Sequence, residues 1–265
     1  ATNKKLEGQI TLKKLLASPD EEIIENIMDK NVLSVKTSTN QEEAVKLFKK
    51  YDLTVLPVID KENILVGIIT IDDMVDVIEE ENTEDFQKMA AMAPSKEEYL
   101  ETSVLHLAKN RLTWLLVLMV TATFTGSIIS KYEEIIEQMV VLAAAIPMLM
   151  DTGGNAGSQS STLIIRGMAL GEIKMSDYLK VVWKELRVSL IVGLGLGAVN
   201  FLRMNYILKQ DFKMSMLVSF TLGITVVIAK LVGGLLPIGA KKLKLDPAIM
   251  AGPLVTTIVD ALALV

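Results

Sequence analysis

Two carboxylates stand inside apolar runs in the second half of the chain, each among small and oxygen-bearing neighbours. In 143–167 (AAAIPMLMDTGGNAGSQSSTLIIRG), Asp151, Asn155, Ser158 and Thr162 recur at i, i+4, i+7 and i+11, one face of a helix, with Gly153, Gly154 and Gly157 alongside. In 246–265 (DPAIMAGPLVTTIVDALALV), Gly252, Thr256 and Asp260 recur at i, i+4 and i+8, with Pro253 and Thr257 beside them. Faces lined with oxygen suit a hard cation, and glycines let a backbone or an ion come close. A carboxylate in hydrocarbon costs ~2.5–3.5 kcal/mol, so each is a functional-site candidate. Pro147 removes a backbone donor one turn before Asp151 and leaves a carbonyl without its usual partner.

The elements that must position these residues are membrane spans. About 20 apolar residues cross a hydrocarbon core of ~30 Å. The candidate spans lie near 112–130, 139–165, 190–208, 214–240 and 247–265, the last truncated. At ~1.5 Å per residue, Asp151 lies ~18 Å from the outer end of its span and Asp260 ~20 Å from Asp246, both near the midplane. Ten Lys and Arg flank the spans on the side of the N-terminal unit against four on the other, which places the N-terminus in the cytoplasm and the C-terminus outside. The composition divides in the same way. Residues 1–110 carry a net charge of −9 and residues 111–265 a net charge of +4, while 51% of all residues are hydrophobic. There is no Cys, which excludes disulfides, thiolate metal sites and cysteine catalysis. With no initiator Met, no signal peptide and an end inside an apolar run, the sequence reads as a fragment cut at both ends.

The polar half contains a repeat. EGQITLKKLL (7–16) and VGIITIDDMV (66–75) align at a period of 59 residues. Between them the pattern predicts an extended piece, an amphipathic helix over 41–51 with Ala44, Val45, Leu47 and Phe48 inward, two strands around the turn IDKEN, and a closing helix. This order resembles a CBS domain, present as a whole second copy and the tail of a first. In that family a Gly, two hydrophobic residues, Thr or Ser, two further residues and Asp contact adenosine ribose. The resemblance therefore implies that ATP or another adenine nucleotide binds at Gly67, Thr70 and Asp73; the first copy has Gly8 and Thr11 but Lys14 in the Asp position. The alternative is a unit that serves only packing and dimerisation.

DDMVDVIEEENTED (72–85) holds eight carboxylates in fourteen residues: Asp72, Asp73, Asp76, Glu79, Glu80, Glu81, Glu84 and Asp85. Like charges at i,i+4 cost a few tenths of a kcal/mol each, and divalent cations would offset that repulsion. A polar stretch from 81 to 111, read as helical on both sides of Pro94, joins this run to the first span.

Pro147 to Gly167 (P-x5-GGNAGSQSSTLIIRG) is similar to the signature of the MgtE magnesium channel family, and LDPAIMAGPLVTTIVDALAL is similar to its last helix. The resemblance implies a homodimer with a central pore lined by the second and fifth spans, Asp260 as principal ion site, and closure by cytosolic Mg2+ at CBS and connector carboxylates (Asp72, Asp73, Asp76, Glu80, Glu81, Glu84, Asp85). Mg2+ loses water reluctantly, so the pore should hold it hydrated, through Asp260, Asn155, Gly154, Thr256 and Thr257, with Asp151 contributing.

The expected architecture is an α+β cytosolic CBS domain followed by an all-α polytopic membrane domain of five helices. Residues 1–20 are the tail of the first CBS copy, 21–81 the second, 82–111 a connecting helix and 112–265 the membrane domain. The expected function is entry of hydrated divalent cations through a multi-pass protein of the plasma membrane, with lipid, cations and a second copy as partners, no nucleic acid and no enzymatic activity. No Walker-type loop is present, and the membrane potential alone drives a divalent ion inward by about 4.6 kcal/mol per 100 mV. The alternatives are an intramembrane aspartyl protease, suggested by Asp-Thr-Gly at 151–153, and a CBS-regulated transporter of another ion.

Overall fold

The structure, a computed structural model, describes residues 4–265 and divides into two compact units, Ala1–Thr83 and Glu84–Val265. Residues 1–3 of the expected first-copy tail lie outside the described residues.

In the first unit, the first-copy tail supplies the short helix α1 (Leu12–Ala17), and the second copy opens on the short helix α2 (Ile24–Ile27). The second copy runs β1 (Val35–Lys36), α3 (Gln41–Tyr51), β2 (Val55–Ile59), β3 (Leu65–Thr70) and α4 (Ile71–Met89), the predicted order. β2 pairs parallel with β1 and antiparallel with β3. Asn40 starts α3 by accepting from the Glu42 N–H at 2.8 Å, and Asp52 ends it in the left-handed region. Ala44, Val45 and Phe48 of α3 are buried with Val35, Leu56 and Met74, and Leu47 packs at the margin. The outer face of β3 has no such cover: Val66 and Ile68 are exposed.

In the second unit, α4 ends in a Schellman-type turn. Ala91 has a φ of 53°, and the Met92 N–H reaches back to the Gln87 carbonyl at 2.9 Å. The Gln87 side chain then holds the Ser95 backbone from both sides, donating to its carbonyl at 3.1 Å and accepting from its N–H at 2.6 Å. Residues 90–103 are therefore not helical, whereas the connecting helix over 82–111 is expected to be helical on both sides of Pro94. Helix resumes at α5 (Val104–Lys131), capped by Ser103. There follow α6 (Glu133–Gln138), α7 (Val140–Ala169), α8 (Tyr178–Leu202) with a π-helical turn at Arg203–Ile207, α9 (Phe212–Lys242), a 3-10 turn at Pro247–Met250 and α10 (Gly252–Ala263).

α9 is the hub of this unit, packed against both α7 and α8, and α10 lies on α7. Val104–Lys131, Met175–Ile207 and Phe212–Lys242 are long and apolar enough to cross a membrane. α7 has the length, 30 residues, but its polar middle dilutes its hydropathy, and α10 has only 12 residues.

Candidate ion site

The apolar pattern breaks at Asp151, but the backbone does not. α7 is helical from Val140 to Ala169, through Pro147 and the glycines. Each glycine costs a helix interior ~1 kcal/mol, and close packing offsets that cost. A Cβ at Gly233 of α9 would sit 2.1 Å from the Gly157 carbonyl oxygen, so the two backbones touch. On the α10 side, a Cβ at Gly153 would meet Val259 at 3.0 Å and one at Gly154 would meet Thr256 at 3.0 Å. Ser161 closes this seam by donating to the Met250 carbonyl at 2.7 Å.

The opposite face of α7 has no cover. Asp151, Asn155 and Thr162 are exposed and Ser158 is half-buried. In hydrocarbon, such a face must meet water or protein. Asp260 of α10 is half-buried beside it, with its carboxyl within electrostatic reach of Asp151. The Thr256 and Thr257 hydroxyls both donate to the Pro253 carbonyl at 2.8 Å. With their protons used, these oxygens are left as acceptors, which suits the water shell of a cation. Pro147 likewise leaves the Ala143 carbonyl without its helical donor. The lead-in to Asp260 differs from a single helix running from Asp246. Pro247 and Pro253 remove donors, so Asp260 stands only eight residues, ~12 Å, into α10.

Residues 146–265 match the MgtE family, described as divalent cation transporter, and residues 24–80 match the CBS domain. A protein of Thermus thermophilus named magnesium transporter MgtE is 38% identical over 261 residues, 98% of this chain and 57% of that protein. One of Bacillus subtilis with the same name is 34% identical over 262 residues, 99% of this chain and 57% of that protein. The chain belongs to the MgtE family. It spans a little over half the length of these curated MgtE relatives, 57% in both cases. Among solved structures, the cytosolic domain of the Mg2+ channel MgtE in complex with ATP is 43% identical, with a TM-score of 0.28, over 28% of this chain and 30% of that one.

The CBS motif of this MgtE chain is partly occupied by its own capping. Asp73 Oδ2 accepts from the Thr70 hydroxyl at 2.5 Å and from the Thr70 N–H at 2.8 Å, and these bonds hold the carboxyl below its usual range. In the first copy, Thr11 instead accepts from the Lys14 N–H at 3.3 Å. Gly67 has open space around it.

Of the acidic run, Glu81 accepts from Gln41 at 2.5 Å and Glu84 pairs with Lys88, while Asp72 and Asp76 are exposed on α4. Among the described residues no three carboxylates or histidines converge to hold a metal ion. Lys88 also reaches Asp246, at 2.5 Å. Burial opposes its charge, but the hydrogen bonds and charges of Asp246 and Glu84 outweigh that and hold Lys88 above its ordinary value. Asp246 in turn caps the 3-10 turn through the Ala248 N–H at 2.9 Å. This ion pair joins residues 158 apart, and nothing in the local sequence announces it.

The end of α4 is seated tightly at the start of α10. Gly252 has a φ of 46°, and a Cβ there would lie 2.5 Å from the Met89 carbonyl oxygen. Gly252→Ala is expected to destabilise the protein by about 1–3 kcal/mol through left-handed strain and this clash. A lowered midpoint of thermal unfolding in detergent checks it; an unchanged midpoint would contradict the contact.

Proposed function

We propose that this chain is the CBS and membrane part of a channel that passes hydrated Mg2+ into the cytosol, driven by the membrane potential. The uncovered polar face of α7 beside Asp260 carries this reading, and the relatives named magnesium transporter support it. A second copy supplies the other half of the pore, with α7 and α10 from each lining it. α5, α7, α8, α9 and α10 then form five spans in the plasma membrane, with the N-terminal unit cytoplasmic. The exposed apolar face of β3 is a surface that the dimer would cover.

Cytosolic Mg2+ closes the channel by binding carboxylates of α4, completed by those of the second copy, since among the described residues of one chain no three of them gather. Asp72 and Asp76 lead this set; Asp73, Glu81 and Glu84 have other partners in the chain. An adenine nucleotide fits the CBS unit, with the open space at Gly67 admitting it and Asp73 Oδ1 turned to a ribose hydroxyl while Oδ2 stays with Thr70. The protease-like reading rests on Asp-Thr-Gly alone, and the relatives are named as transporters.

The test is Mg2+ entry into proteoliposomes holding the intact protein, with a potential negative inside and no ATP. Entry that rises with potential, and ceases when Mg2+ is raised on the side bearing the CBS unit, is the expected result. Absence of potential-driven entry would refute the channel.

A further inference from the structure

Among the described residues, two buried charges lie on the membrane-crossing helices and are not used by the ion face. Glu185 on α8 is 9% exposed and Lys230 on α9 is 5% exposed. Neither stands out by spacing, although a lone Lys in TVVIAKLVGG is a signal in itself. Glu185 accepts from the buried Ser160 hydroxyl of α7 at 2.6 Å. Ser160 lies nine residues from Asp151, about two and a half turns, and so on the opposite side of α7.

Contacts bracket Lys230 on the α8–α9 seam. A Cβ at Gly193 would lie 2.9 Å from the Gly223 carbonyl oxygen, and one at Gly234 would lie 3.2 Å from Glu185 Cγ. Lys230 falls between these two points, one turn from Gly234, on the stretch of seam that ends at Glu185. Among the described residues it has no ion pair. An isolated charge of either sign is costly at this depth, and two opposite charges along one seam offset each other.

The apolar contacts along α7 are non-directional: Ala156 packs with Val255 and Val259, and Ile164 and Met168 pack with Val181 and Ile238. At its seams with α9 and α10 the glycines bring backbones close but supply no polar side chain to fix the rotation. Directional bonds from Ser160 to Glu185 and from Ser161 to Met250 supply what the glycines lack. A turn of α7 by about one residue, 100°, would carry Asn155 off the uncovered face.

We propose that Glu185, bonded to Ser160 and charge-balanced by Lys230, is a positioning residue that fixes the rotation of α7 and so aims the face bearing Asp151 and Asn155. This rests on the reading of that face as a water-filled ion path.

The chain has no cysteine, so a single thiol reports rotation cleanly. The intact protein carrying either Asn155→Cys or Ala156→Cys is reconstituted and treated with a charged, water-soluble thiol reagent. Asn155 is exposed and Ala156 buried, so the first thiol should react at least about tenfold faster. Glu185→Ala and Ser160→Ala are each expected to shrink that ratio below about threefold. Glu185→Gln, which leaves Lys230 unbalanced, shrinks it too, and adding Lys230→Met should restore it to within about twofold of the unaltered chain, a coupling that independent sites would not show. A ratio unchanged by Glu185→Ala, or a double variant no better than Glu185→Gln, overturns the proposal. The readout needs no ion flux: failure to conduct Mg2+ with the labelling contrast intact would sink the channel reading alone, whereas equal labelling at both positions in the unaltered chain would sink the aimed face itself.

Discussion

Asp260→Asn is expected to reduce Mg2+ entry by at least about a hundredfold while leaving the protein folded. A divalent ion that keeps its water sits ~6 Å from a carboxylate, where at an effective dielectric of ~20 the attraction is about 5 kcal/mol. Losing little more than half of that at one carboxylate corresponds to a hundredfold. The substitution keeps the volume of the side chain. The packing beside it is also independent of the charge: Val255 and Val259, not Asp260, fill the seam with α7 and α9, and both are buried. Entry of Mg2+ into proteoliposomes measures the effect, and thermal unfolding checks the fold. Asp260→Ala should behave alike. Entry within about twofold of the unaltered protein would remove Asp260 from the conduction path, because a carboxylate contributing under half a kcal/mol is not an ion site.

What could be read in the sequence was whatever depends on periodicity. The CBS order followed from apolar spacing in 41–51 and from the alternating strands, and α3 has the predicted bounds. The polar face of α7 was equally plain, because a 3.6-residue repeat of oxygen-bearing side chains stands out against apolar neighbours. Local sequence does not carry long-range pairing. Lys88 meets Asp246 and Glu185 meets Ser160 only once the helices have packed. Glu185 in particular lies ahead of the span expected near 190–208, whereas α8 starts at Tyr178 and buries it. The opposite error occurred at 90–103. There helical composition around Pro94 was overridden by the left-handed Ala91 and by the grip of Gln87 on Ser95. At α7 the glycines lower the helix propensity, and backbone contact with Gly233 offsets that cost in the helix the oxygen spacing predicts.

Neutralising Asp72, Asp76 and Glu80 together, as Asn, Asn and Gln, is expected to leave the channel open in millimolar cytosolic Mg2+. These residues follow one another at i,i+4 on a helix continuous from Ile71 to Met89, and two further steps lead through Glu84 to Lys88. The repulsion between neighbours, a few tenths of a kcal/mol per pair, favours any state in which a divalent cation lies between carboxylates. Without the charges that preference disappears, and Mg2+ no longer distinguishes one arrangement of α4 from another. A ligand with equal affinity for two states shifts neither. Glu84 is kept out of this variant because its partner is Lys88, which also holds Asp246 at the approach to α10. Glu84→Gln alone therefore separates two causes. If the triple variant conducts in high Mg2+ and Glu84→Gln still closes, cation sensing lies in the exposed carboxylates. If only Glu84→Gln stays open, closure depends on the Lys88 ion pairs instead, and the acidic run is an ordinary solvated face. Inhibition unchanged in the triple variant would refute the sensor.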